Sequence, residues 1–102
     1  MGACNFSTKS SGKDVSEAFA NAVENARYYE GHGGYTGTIA EKDEYRIVKL
    51  PEGIEPNSKF FEAWIDINTD EQFGDKWGPC GAVKIGDDGK QQEWCFFGWA
   101  SS

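Results

Sequence analysis

Histidine is almost missing from the 102-residue chain, which has only His32. One imidazole cannot complete a transition-metal site built on several histidines, and a Cys80–His32 nucleophile pair would need a spatial contact that spacing alone does not show. Cysteine is sparse as well: Cys4, Cys80 and Cys95 form neither a CxxC pair nor an even set. That count argues against a zinc site and against a complete disulfide framework. One bridge is compatible with it, and free thiols are the simpler reading. No stretch approaches the ~18 apolar residues of a membrane span, and Met1-Gly2-Ala3-Cys4-Asn5-Phe6 has no apolar run of the signal-peptide kind. Positive charge is the last scarcity. Ten Lys and Arg against seventeen Asp and Glu leave a formal charge of −7, which opposes attraction to phosphate backbones. The expectation is a cytoplasmic protein with no membrane segment, no direct nucleic-acid partner, no metal and no cofactor.

Aromatic residues, by contrast, are plentiful: Phe, Tyr and Trp make up 15% of the chain, against 38% hydrophobic overall. The length suits one globular domain over 1–102 with a core built largely from rings. Ala3 to Thr8 reads as a short edge strand, followed by a polar connection over Lys9 to Lys13. Asp14 and Glu17 have the spacing of a capping box, and Val15, Ala18, Phe19, Ala22, Val23 and Ala26 recur at three- and four-residue steps. These features predict an amphipathic helix over about 14–30, closed by Gly31, with small residues that allow close approach to a sheet.

Thr36 to Ala40 and Tyr45 to Leu50 read as two strands able to pair as a hairpin. Ser58 to Asn68 is two-sided in meaning. Phe61, Ala63, Ile65 and Ile67 alternate as a strand does, while Phe60, Phe61, Trp64 and Ile65 fit a helical face and Pro56-Asn57-Ser58 suits a helix start. We read a second short helix over about 58–68. Ala82 to Ile85, a Gly86-Asp87-Asp88-Gly89 turn and Gln92 to Trp99 form a hairpin whose second strand is aromatic on both faces, as befits a strand covered on both sides. The fold class is α+β, with the main helix on a small antiparallel sheet.

Gly31-His32-Gly33-Gly34-Tyr35-Thr36-Gly37 superficially has the glycine spacing of a phosphate-cradling loop. Such loops run from a strand into a helix N-terminus, whereas this one leaves a helix C-terminus, the end that repels anions. The glycines serve better as a helix stop and strand lead-in. Recognition residues are then sought among His32, Tyr35, Thr36 and Glu41 of this stretch, the aromatic anchors Trp77 and Trp99, and the carboxylates Asp70, Glu71 and Asp75, with Asp87 and Asp88 adding negative field. No residue is assigned a catalytic role.

Three segments, His32 to Lys42, Asp75-Lys76-Trp77-Gly78-Pro79-Cys80-Gly81 and Phe96-Phe97-Gly98-Trp99-Ala100-Ser101-Ser102, resemble a group of small proteins encoded by bacteriophages and prophages. Cys80 departs from the small apolar residue expected at its position, which argues against a nucleophilic role. The resemblance implies a phage accessory protein working in the cytoplasm of an infected or lysogenic bacterium, with no activity attached. Two functions follow as expectations. In the first, a non-catalytic binder or inhibitor occludes a basic surface of a host protein, such as the nucleic-acid channel of a CRISPR or other defence effector. In the second, the glycine-rich and aromatic segments converge on a pocket for a small ligand such as a nucleotide signal.

Overall fold

In the computed structural model, which describes residues 2–30 and 37–101, chain order is β1 (Ala3–Gly12), α1 (Val15–Glu30), a 3-10 turn (Ile39–Glu41), β2 (Tyr45–Ile47), α2 (Lys59–Glu71), β3 (Cys80–Asp87) and β4 (Gln92–Ser101). The four strands form one sheet in the order β1-β4-β3-β2. The doubly aromatic strand β4 is therefore central, as its pattern requires. Trp94 and Phe96 point to one side with Ala82, and Cys95 and Phe97 to the other with Val83.

A helix covers each side. Ala18 and Ala22 of α1 pack with Ala82, Cys80, Trp94, Phe96 and Ile39, and Phe19 meets the Phe96 ring edge-on at 5.5 Å. On the opposite face Phe61 and Ile65 of α2 pack with Val83, Cys95, Phe97 and Phe73. Helix α1 starts as its residues dictate: Asp14 Oδ1 accepts from the Glu17 amide at 2.9 Å, and Glu17 Oε1 accepts from the Lys13 amide at 3.2 Å. Helix α2 is real and runs to Glu71, with the Ser58 hydroxyl accepting from the Phe61 amide at 3.1 Å.

The sheet is mixed, which corrects the expected antiparallel one. β1 and β3 flank β4 antiparallel, but β2 pairs with β3 in parallel, Tyr45 opposite Cys80 and Ile47 opposite Ala82. The reason is topological. Helix α2 lies between β2 and β3 in the chain and serves as the crossover that returns the chain in the same direction. The expected partner of β2 does not exist as a strand among the described residues. Thr38 Oγ1 accepts from the Ala40 amide and turns the chain into the 3-10 turn, which buries Ile39 beneath α1. Strand β1 is also longer than expected, because Lys9 to Gly12 continue the pairing with Cys95 to Gln92.

Candidate functional site

The described residues of the three segments singled out in the sequence, 37–42, 75–81 and 96–101, lie at one end of the sheet, tied by backbone bonds to one another and to the residues that flank them. The Gly37 amide donates to Ser101 O at 2.7 Å, the Cys80 amide to Glu44 O at 3.2 Å, and the Trp99 amide to Phe73 O at 3.3 Å. Lys42, the last residue of the first segment and only 3% exposed, reaches from it to the second. Its ammonium donates to the carbonyls of Asp75 (3.4 Å), Lys76 (3.1 Å) and Gly78 (2.8 Å). Three carbonyl acceptors match the three donors of an ammonium, which is how a lysine comes to lie in the interior. Burial still lowers its pKa, with the nearby Cys80 and Asp75 pulling the other way.

The effect of Lys42 is to fix the loop over 75–78. Asp75 Oδ1 accepts from the Trp77 amide at 2.9 Å, the Gly78 amide donates to Asp75 O at 3.0 Å, and the Lys76 ammonium sits 5.2 Å from the Trp77 ring centre. Trp77 stands 65% exposed on this braced loop. Trp99 is half-buried, its indole N–H donating to Asp70 Oδ1 at 3.0 Å, so one expected anchor and one expected carboxylate are bonded to each other. Glu71 is exposed at the end of α2 and Glu41 is half-buried in the 3-10 turn. His32, Tyr35 and Thr36 lie outside the described residues. Asp87 and Asp88 serve the β3–β4 turn: Asp87 accepts from the Gly89 amide and pairs with Lys84 at 2.7 Å, and Asp88 accepts from the Lys90 and Gln91 amides. Those bonds hold both carboxyls below the usual carboxylate range.

Neither interior thiol is set up as a nucleophile. Burial pushes Cys80 up to about 12 against the partial relief offered by Lys42, and burial likewise raises Cys95, whose Sγ lies 3.5 Å from the Ser7 hydroxyl. No cluster of three or more His, Cys, Asp and Glu able to hold a metal occurs among the described residues.

No family model, curated protein or solved structure matches this chain. Its own surfaces carry the structural argument for its function.

One of those surfaces escaped the sequence reading. Phe60 and Ile67 on α2 are 77% and 56% exposed, and with exposed Ala63 and half-buried Trp64, whose ring also packs against Phe97 of the core, they complete an i, i+3, i+4, i+7 set. Together with Glu52, Gly53 and Ile54 of the preceding loop they line an open groove of about 440 Å³. The signal was present. Phe60 and Phe61 are adjacent, and a helix cannot bury two neighbouring rings on one face, so assigning Phe61 and Ile65 to the core leaves Phe60 and Ile67 outside. Lys42 was missed for a different reason, since nothing in Glu41-Lys42-Asp43-Glu44 distinguishes an interior lysine from a solvated one.

Proposed function

We propose that the protein is a non-catalytic binding module that engages a basic surface of another protein through the end of the sheet carrying Trp77. The observation that carries this reading is the Trp77 loop. A large, mostly exposed aromatic stands on a backbone held by the buried Lys42 ammonium, so little conformational freedom remains to be lost on binding. Rigid, centrally placed tryptophans are the residues that most often dominate binding energy. Asp75 and Glu71 lie in the same region of the chain, and the formal charge of −7 supplies long-range attraction for a cationic partner.

The resemblance to phage proteins supplies the setting: occlusion of a host protein's basic site, such as the nucleic-acid channel of a defence effector. The two interior thiols, both raised by burial, favour occlusion over covalent chemistry.

Affinity capture from a bacterial host lysate tests the reading. At low salt the tagged protein should recover a basic partner that elutes as sodium chloride is raised. Trp77→Ala should lose most of that partner while its thermal unfolding midpoint stays within a degree or two of the parent, because the ring is mainly solvent-exposed. Retention of the partner by Trp77→Ala at the parent level, or no partner at low salt, overturns it.

A further inference from the structure

We infer that the outer face of α2 is a second docking surface, specific for a basic amphipathic helix of a partner protein. It is separate from the Trp77 end and does not depend on it. The apolar part is the groove formed by Phe60, Ala63, Trp64 and Ile67 with Ile54 opposite. Phe60 and Ile67 are two turns apart, about 10 Å along the axis, which matches the two-turn reach of a short helical segment laid beside α2. An exposed patch of this make-up has a cost in water that isolated surface apolar residues do not.

Charge identifies the occupant. At 100° per residue, Glu62, Asp66 and Asp70 form a row along α2 next to the Phe60–Ile67 stripe, on its side away from the core, and all three are exposed. Between Glu52 and Glu71 the chain carries six carboxylates and a single cation, Lys59, so this segment holds five of the seven net negative charges. A partner that fills the groove must place lysines or arginines over that row.

Two alternatives are disfavoured by the same observations. A second copy of this chain docked with the two α2 helices antiparallel about a two-fold axis would bring one acidic row beside another, and in any arrangement two chains of formal charge −7 repel. An extended peptide gains its affinity from pairing with free backbone groups, but the backbone of α2 is already hydrogen-bonded within the helix, leaving only side chains to contact. A helix, which satisfies its own backbone, loses nothing by that. The fitting ligand has leucine-like residues at i, i+3, i+4 and i+7 and basic residues along one flank.

The test uses two fluorescein-labelled synthetic helices of 18 residues, identical except that the flanking positions are Lys and Arg in one and Glu in the other. Fluorescence anisotropy with the full chain should show saturable binding of the basic helix, at least tenfold weaker binding of the acidic one, and weakening as salt rises. Phe60→Ser with Ile67→Ser should weaken binding of the basic helix at least tenfold without lowering the unfolding midpoint, since both side chains are exposed. Glu62→Lys with Asp66→Lys should invert the preference between the two helices. Trp77→Ala should bind the basic helix as the parent does, which separates this surface from the one proposed above. Equal binding of both helices, no binding of either, an unaffected Phe60→Ser/Ile67→Ser variant, or sedimentation showing that the chain covers this face by dimerising would each overturn the inference.

Discussion

Lys42 and Cys80 occupy neighbouring interior positions and respond to pH in opposite senses. The Cys80 thiol, ordinarily near 9, is pushed up to about 12 by burial. Below pH 9 both the folded and the unfolded chain hold that proton, and the group contributes no pH dependence. Above it the unfolded chain releases a proton that the folded chain keeps, so stability falls by about 1.4 kcal/mol between about pH 8 and 10 on this account alone. Lys42, lowered by burial, acts the other way: once pH passes its folded-state pKa, the unfolded chain binds more protons and stability rises. Cys80→Ala isolates the first contribution. Urea titrations at the two pH values should show the parent losing about 1.4 kcal/mol more than Cys80→Ala over the interval; equal losses would show that the thiol titrates normally. The same burial sets reactivity. Cys4 is exposed and Cys80 and Cys95 are buried, so an aromatic disulfide reagent should modify one thiol rapidly in the native protein and all three after unfolding.

Gly81 shows how tightly this region is packed. A Cβ there would meet the Phe97 ring at 2.5 Å and the Phe73 ring at 2.8 Å, and neither ring has room to withdraw from the α2-face cluster. Gly81→Ala should cost about 1–3 kcal/mol by overpacking, read from the shift in urea midpoint. A neutral effect would mean that the Phe73–Phe97 contact is looser than 5.3 Å between ring centres suggests.

At the level of elements, α1 was legible because three independent signals agree: the Asp14–Glu17 cap, the Ala18/Ala22/Ala26 stripe and Arg27 in the last turn. Strand β4 was legible from its aromatic faces. Strand β2 was legible as a strand but its partner was not, because Tyr45 to Leu50 has the composition of a strand without any mark of what it pairs with, and the nearer segment in sequence is the default choice. What decides the pairing is α2, and α2 itself reads two ways since its residues satisfy both a period of 2 and one of 3.6. The Ser58 cap tips that balance. Ser58→Ala should cost about 1 kcal/mol and fray the first turn, visible as faster amide exchange at Phe61. Unchanged exchange there would show that burial of Phe61 and Ile65 alone defines where α2 starts. The candidate site was legible in the same uneven way. Trp77 and its acidic neighbours could be named from composition, but the interior role of Lys42 depends on carbonyls 33 to 36 residues away.

For the whole molecule, the decisive feature is that one sheet serves two cores. Neighbouring residues of β3 and β4 go to opposite faces, Ala82 and Phe96 under α1, Val83 and Phe97 under α2, so neither helix can leave without stripping one side of the same two strands. The chain should then unfold as a unit. Removing the Phe97 ring should cost about 3–5 kcal/mol, a large share of the ~5–15 kcal/mol typical of a whole domain. Because the strands are shared, that loss should be felt equally on the far face. Trp64 reports on the α2 face and Trp94 on the α1 face, so variants keeping only one of these tryptophans, with the others changed to Phe, give separate probes. In urea the two probes should have coincident midpoints, and Phe97→Ala should lower both by the same amount. If Phe97→Ala shifts only the Trp64 transition, the two layers unfold independently, and the single cooperative domain expected from the length of the chain gives way to two loosely coupled halves.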